Sequence, residues 1–174
     1  MEFTFETEYH QQALTVMARA LRKTLRKKRS RRSHVFGWIV VILGLLLSLP
    51  FGDDAFQIDL KTVVTWLAVL LILVVLIWED AINGYFAGKR MLPGTEKATT
   101  VFNIEEYTST TDAGKTEWKY DKINAIVETT RYFVFVFSSS HAQIYDKKGL
   151  SGGTADEFRS FIENMTHQTV QQIK

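Results

Sequence analysis

The stretch KTLRKKRSRRSHVFGWIVVILGLLLSLPF, from Lys23 to Phe51, joins two opposite chemistries without a linker. Nine basic residues and no acidic residue fall between Arg19 and Arg32. An apolar run without charge then extends from Val35 to Phe51. Such a junction is typical of a membrane anchor with a cationic flank, of a secretion signal, or of a nucleic-acid-binding arm beside a core helix. The rest of the chain decides among these three.

A second apolar run, TVVTWLAVLLILVVLIW, extends from Thr62 to Trp78 and has the same length as the first, 17 residues. As a helix, each run would span about 25 Å at roughly 1.5 Å per residue, which is near the short end for a bilayer's hydrocarbon core. Helices of soluble domains usually keep a polar stripe, whereas these runs are apolar on every face. We therefore predict a transmembrane hairpin over residues 34–78, with spans at 35–51 and 62–78.

The charges that flank the two runs predict the orientation of the hairpin. The connecting loop carries three aspartates and one lysine, whereas basic residues lie outside both runs. The positive-inside rule then places both termini in the cytoplasm and the loop outside. Glu79 and Asp80 follow the second run, and we expect them in its first hydrated turn rather than in a site. The candidate contact residues of the outer loop are Asp53, Asp54 and Asp59.

The two rival explanations of the basic run fit less well. About thirty residues precede the first apolar run, far more than a signal peptide's basic region, and LSLPFGDDAF offers no small-x-small cleavage site. No aromatic residue that could stack on a base lies between Arg19 and Arg32.

Apolar residues at helical spacing instead predict a basic amphipathic helix over 11–33, which could lie along the inner leaflet. Its cations could contact anionic headgroups, where each contributes about 1 kcal/mol. They could equally serve only to fix the topology, and the sequence leaves both explanations open. The candidate lipid contacts are Arg26, Lys27, Lys28, Arg29, Arg31 and Arg32.

After the second run the pattern changes from helix to strand. Residues 79–92 continue the helix, and Pro93-Gly94 stops it. Alternating and β-branched segments then predict a small antiparallel β domain over 95–174, in which RYFVFVF is buried on both faces. Thr154 and Glu157 have the spacing of a capping box before a closing helix. The candidate core residues are Phe102, Ile104, Trp118, Ile123, Ile126, Phe158, Phe161 and Ile162.

The N-terminal segment MEFTFETEY alternates phenylalanine with polar residues and predicts a strand over 1–10. A strand this short is unstable alone, and the topology places it on the same side as the later strands. We therefore predict that it joins their sheet. The fold class is an α+β membrane protein, in which the hairpin is inserted between the N-terminal strand with its basic helix and the β domain with its C-terminal helix.

This order of elements resembles the YcxB-like family. The likeness runs from LPGTEKATTVFNIEEYTST through EWKYDKINAIVETTRYFVFVF to IYDKKGLSGGTADEFRSFIENM. The resemblance implies a bacterial protein, located in the cytoplasmic membrane, whose β domain is pleckstrin-homology-like. It implies no common chemistry. The motif positions are Trp118 or Tyr120, Ile123, Ile126, Glu128, Thr129, Lys148 and Gly153.

The residues themselves give little support for catalysis or a cofactor. The chain has no cysteine, and its four histidines lack metal-ligand spacing. SSSH at 138–141 lacks the context of a nucleophile elbow, and SGGT at 151–154 lacks the lysine of a phosphate-binding loop. We therefore expect a non-catalytic protein with no cofactor and no metal site.

The expected function is to present a cytoplasmic domain to membrane lipids or to a protein partner whose identity the sequence does not give. We expect no nucleic-acid partner, and a homo-oligomer is compatible with the sequence. One alternative is a membrane-resident immunity or stress factor that blocks a toxin at the bilayer. Another is an accessory subunit of a transporter or membrane enzyme, although neither apolar run holds the charged residue that an ion path normally needs.

Overall fold

The computed structural model describes residues 2–48 and 59–173 and is α+β, with four α-helices among these residues. The first strand, β1 (Phe3–Glu8), precedes the three helices that the sequence assigned to the basic segment and the hairpin. These are α1 (Gln11–Lys23), α2 (Lys27–Leu47) and α3 (Leu60–Lys89). The basic segment 11–33 is therefore not one helix. It breaks between α1 and α2, and its most basic part forms the first turns of the helix that becomes the first apolar run.

The remaining strands and one helix follow α3. The strands are β2 (Lys97–Phe102), β3 (Tyr107–Thr111), β4 (Gly114–Trp118), β5 (Ala125–Glu128), β6 (Tyr132–Val136), β7 (Ala142–Asp146), β8 (Leu150–Ser151) and β9 (Gln171–Gln172). Single 3₁₀ turns occur at Tyr120–Lys122 and Lys147–Gly149. Helix α4 (Ala155–Thr166) begins with the expected capping box between Thr154 and Glu157.

The strands form two sheets that are mostly antiparallel. The first has the order β4-β3-β2-β1-β8, and the second has the order β7-β6-β5-β9. Strand β1 pairs with β2 on one side and with β8 on the other, so the N-terminal strand joins the sheet of the later strands. Among the strands of residues 2–48 and 59–173, β5 and β9 are the one parallel pair. Since β1 and β2 flank the helices in sequence, both ends of the described chain lie on the same side of the hairpin.

The core between the sheets is aromatic, and α4 closes it. The Phe158 ring contacts rings from both sheets, including Phe5 at 4.6 Å and Phe133 at 5.1 Å between centroids. Alternate residues of β6 face opposite layers: Phe133 and Phe135 join this core, whereas Val134 packs with α1. The prediction that RYFVFVF is buried on both faces is confirmed for β6.

The predicted core residues fall into three groups. Phe102, Ile123, Ile126, Phe158 and Ile162 are buried. Trp118 and Phe161 are partly buried against that cluster. Ile104 does not belong to the core, because 66% of its surface is exposed. The strand alternation ends at Phe102, and a turn closed by the Asn103 N–H donating to the Glu106 carbonyl (3.1 Å) directs Ile104 outward.

Helices α2 and α3 are long and apolar enough to cross a membrane, and only 6% of each apolar window is buried in the protein. This low burial differs from that of a core helix in a soluble fold, which is mostly buried. The two helices approach through glycine. A Cβ on Gly37 would lie 2.7 Å from Leu76 Cδ2, and one on Gly44 would lie 2.7 Å from Val69 Cγ2. Gly37 and Gly44 are seven residues apart, so the contact recurs after one heptad.

Candidate functional site: the junction between domain and hairpin

The most elaborate polar arrangement in the described residues lies where the hairpin meets the sheets. We call this region the junction, and it comprises α1, residues 27–34 of α2 and residues 79–88 of α3. One face of α1 buries Ala13, Ala20 and Leu21 against the second sheet. Another face packs on the end of α3. Helix α1 therefore connects the domain to the hairpin on both sides, and its apolar residues cover protein rather than lying on the bilayer.

The contact between α1 and α3 depends on a G-x-x-x-G sequence, Gly84 to Gly88. A Cβ on Gly84 would lie 2.7 Å from the Thr15 backbone nitrogen and 2.9 Å from Thr15 Cα. At Gly88 the nearest atom would be the side-chain carbon Cδ1 of Leu14, at 3.0 Å. Small residues at this spacing let helix backbones approach closely. Both glycines lie beyond the apolar run, which ends at Trp78.

Asp80 anchors the other half of this contact. Its carboxylate accepts two hydrogen bonds from Arg22, Nε to Oδ1 at 2.6 Å and Nη2 to Oδ2 at 2.7 Å. Arg19 Nε donates a third, at 3.3 Å. The Asp80 side chain is only 12% exposed. A forked guanidinium–carboxylate pair fixes orientation as well as distance, so it sets the angle at which α1 crosses α3.

Glu79 contacts α2 through one histidine and one serine. Its Oε2 lies 2.6 Å from His34 Nε2 and accepts from Ser30 Oγ at 3.3 Å. Directly before it, Trp78 leaves helical geometry (φ −104°, ψ 20°) and kinks α3. We expected Glu79 and Asp80 in a hydrated turn without a site. The structure instead makes them the two acids that hold three helices together, through partners 45 to 61 residues away.

Five cations of the junction remain uncompensated. All five are exposed, and none has an ion-pair partner among residues 2–48 and 59–173. They lie on the first turns of α2, directly before the apolar part of that helix. Arg26 differs from them, because its Nε donates to the backbone carbonyl of Ser139 in the β6–β7 loop. We call the five residues the cationic belt; they are Lys27, Lys28, Arg29, Arg31 and Arg32.

The other candidate residues have structural roles or lie outside the described residues. Asp59 caps α3, because its Oδ1 accepts from the Thr62 backbone N–H at 2.8 Å. Asp53 and Asp54 lie outside the described residues. In SSSH, Ser138 Oγ accepts from the His141 backbone N–H at 3.1 Å, and the His141 ring stacks on Trp118. At SGGT, the Glu157 carboxylate accepts a hydrogen bond from the Thr154 backbone N–H at 2.7 Å.

The family motif positions also have structural roles. The buried Glu128 carboxylate accepts hydrogen bonds from three side chains, each at 2.5 Å. Arg159 Nε and Gln172 Nε2 donate to its Oε2, and Lys147 Nζ donates to its Oε1. Burial alone would raise the pKa of the Glu128 carboxyl, but the hydrogen bonds from Arg159 and Lys147 outweigh it and lower that pKa to about 2. Gly153 is small because a Cβ would lie 2.5 Å from the Phe3 ring. These residues join the ends of the chain to the core.

Among the described residues, no group of three or more His, Cys, Asp or Glu side chains could hold a metal ion. A groove of about 320 Å³ is lined by side chains of α1, β4 and β7. Its lining carries no Asp, Glu, Lys or Arg side chain and includes Tyr9, Met17, Trp118 and Gln143. Burial raises the pKa of the Tyr9 hydroxyl to about 12, so it stays protonated at neutral pH. The groove offers a partner apolar contacts and hydrogen-bonding side chains.

Comparison with known proteins supports the domain and leaves the rest of the chain without a counterpart. Residues 102–162, about a third of the chain, match the family model described as YcxB-like protein. This segment begins at the last residue of β2 and ends within α4. It holds most of the aromatic core, except Phe3 and Phe5 of β1, and it holds Glu128, but it includes neither the hairpin nor the junction. No curated protein and no solved structure matches the chain. The resemblance to the YcxB-like family is thereby confirmed over residues 102–162.

Proposed function

We propose that this chain is a non-catalytic integral protein of the bacterial cytoplasmic membrane. In this proposal α2 and α3 cross the bilayer, and both termini lie in the cytoplasm. The sheets and α4 form a pleckstrin-homology-like domain that the junction holds at the membrane surface. There the domain is available to the adjacent lipid headgroups and to a protein partner. The observation that carries the proposal is the continuity of one helix, α2, from an uncompensated cationic belt into an exposed apolar surface.

The apolar surface of the hairpin is too large for an aqueous environment. Large side chains point outward along both helices, among them Phe36 at 68% and Leu71 at 67% exposure. Monomeric soluble proteins rarely expose contiguous apolar patches above a few hundred Å². Lipid is the environment in which such a surface needs no protein partner.

The cationic belt supports contact with anionic headgroups. Other cations of the junction, Arg19 and Arg22, pair with Asp80 and Glu79. The cations of the belt have no such acidic partner among the described residues. Trp38 follows at 48% exposure, in the position of an interfacial aromatic residue. Each Lys or Arg near an anionic surface contributes about 1 kcal/mol.

The domain and its attachment support a binding role. Two sheets closed by a C-terminal helix are the architecture expected of a pleckstrin-homology-like module. Its rigid docking through Gly84 and Asp80 keeps it at a fixed height above the hairpin. Tethering of this kind raises the effective concentration of a domain toward other components of the same membrane.

We predict that the belt makes the protein's stability depend on anionic lipid. The full chain is placed in mixed micelles with phosphatidylglycerol or with phosphatidylcholine, and its thermal midpoint is compared. A ligand that binds the folded state raises this midpoint, so phosphatidylglycerol should raise it for the wild type. Changing Lys27, Lys28, Arg31 and Arg32 to glutamine should remove most of that rise.

The matched control changes four exposed domain lysines, Lys97, Lys119, Lys122 and Lys148, to glutamine. This variant should keep the full rise. Salt near 1 M, where the Debye length is about 3 Å, should suppress the rise in the wild type. An equal loss in both variants, or a rise that survives salt, would rule out headgroup binding by the belt.

A further inference from the structure

No strand of the described chain pairs with the outer edge of β4. Strand β4 is the edge strand of the first sheet, and it pairs with β3 on its inner side. Residues 114–117 are all exposed, so no other part of the described chain covers this edge. An open edge presents a row of free backbone N–H and C=O groups to any second strand.

The register of the β3–β4 hairpin shows which backbone groups are free. Thr111 pairs with Gly114 across a two-residue turn, so this pair exchanges backbone hydrogen bonds. Hydrogen-bonded pairs alternate along an antiparallel ladder, so Thr116 and Trp118 also direct their N–H and C=O groups toward β3. The backbone groups of Lys115 and Glu117 therefore point away from the sheet, along the open edge.

The opposite charges of these two side chains make the edge of one β4 strand complementary in charge to the same edge of a second copy. Lys115 and Glu117 lie on the same outer face of β4, 59% and 57% exposed, with Nζ 3.4 Å from Oε1. In an antiparallel pair of β4 strands related by a two-fold axis at Thr116, Lys115 of one copy lies opposite Glu117 of the other. Both are outward-facing residues, so each such pair would also exchange backbone hydrogen bonds. Opposite charges directly across strands stabilise a sheet, and like charges destabilise it.

We propose that β4 pairs with β4 of a second copy of this chain in that register, joining the two first sheets into one. The other cross-strand pairs fit. Thr116 meets Thr116 on the axis, and Trp118 meets Gly114. A Cβ at Gly114 would meet nothing within 4 Å, so this position is open to a neighbouring strand. The inference goes beyond the proposed function and does not depend on whether α2 and α3 cross a membrane.

Crosslinking tests the register. The chain has no cysteine, so Thr116→Cys introduces a single thiol that lies on the axis. Residues in a non-hydrogen-bonded pair have Cα atoms about 4.5 Å apart, within the range of a disulfide. Lys115→Cys is the matched control, because it would lie diagonally from its own copy at about 7–8 Å, beyond that range.

Both variants of the full chain are mildly oxidised in membranes and run without reductant. Thr116→Cys should give a species of twice the mass of the 20.0 kDa chain, at least about tenfold more than Lys115→Cys, because disulfide geometry is this restrictive. Equal crosslinking of the two variants would overturn the register. Crosslinking of Thr116→Cys only to a different protein would overturn the second copy as the occupant.

Charge reversal tests the pairing by a separate route. Lys115→Glu alone and Glu117→Lys alone should each lose the dimer, since like charges then face each other. Mixing these two variants should restore it as a heterodimer, because each strand then faces its opposite charge. Both sites are exposed, so the fold should persist. A dimer that either single variant retains, or a mixture that stays monomeric, would contradict the proposal.

Discussion

Replacing Glu128 with alanine is expected to cost the domain about 3–5 kcal/mol of folding free energy, the usual effect of removing one partner from a buried ion pair. The substitution leaves Lys147 and Arg159 beside the core without their counter-charge. It also removes the acceptor of Gln172 and so the link to β9 at the end of the chain. Thermal or denaturant unfolding of the full chain in detergent measures the effect.

The same residue should make the protein labile in acid. The pKa of Glu128 is lowered from 4.5 to about 2 in the folded protein. A carboxyl whose pKa is lower when folded binds fewer protons in the folded state, so its stabilisation is present above pH 4.5 and is lost as the pH falls toward 2. The linkage amounts to about 3 kcal/mol at neutral pH.

The control for both effects is Glu128→Gln, which keeps the shape of the side chain without its charge. Its stability should lie below that of the wild type at pH 7, and the difference should shrink as the pH falls below 4.5. Asp146, whose pKa is also lowered, contributes equally to both proteins and cancels in the difference. A difference that stays constant from pH 7 to pH 2.5 would show that Glu128 does not carry the linkage.

Gly84→Ala should destabilise the junction by about 1–3 kcal/mol, the cost of overpacking a closed contact. The added methyl would lie 2.7 Å from a backbone nitrogen of α1, which cannot rotate away. In an open helix the same substitution would instead gain roughly 1 kcal/mol. The sign of the effect therefore reports whether α1 is docked on α3.

Gly88→Ala is the matched control for this prediction. It lies one helical turn away, and its methyl would meet only the end of the Leu14 side chain, which can adjust. Its effect should be near zero or stabilising, because helix propensity then dominates. Equal midpoints for the two variants in an unfolding experiment would contradict the close backbone contact at Gly84.

Local signals in the sequence were sufficient for the elements whose causes are local. The Thr154–Glu157 spacing gave the start of α4, and Pro93-Gly94 gave the end of α3 to within a few residues. The apolar run of β6 gave its burial on both faces. The error at Ile104 is also local: alternation over TTVFNIEEYTSTT reads as one strand, and a turn at 103–106 divides it.

The junction could not be predicted in the same way, because its contacts join residues far apart in the chain. From the sequence alone, Asp80 has the pattern of an exposed aspartate. Its role follows only from its contact with Arg22, which lies 58 residues earlier in the chain. The break between α1 and α2 has no proline or glycine to mark it. Gly84 and Gly88 were visible as a pair, but their meaning required the position of α1.

Thiol labelling tests the proposal that the two apolar helices cross a bilayer with both chain ends in the cytoplasm. Because the chain lacks cysteine, single thiols at Lys61, Leu71 and Gln171 can be probed with a membrane-impermeant reagent on intact spheroplasts. Lys61→Cys should be labelled from outside, and Gln171→Cys should be labelled only after lysis. Leu71→Cys, midway along α3, should need detergent. Labelling of Leu71→Cys in intact membranes at the rate of Lys61→Cys, or of Gln171→Cys before lysis, would contradict this proposal.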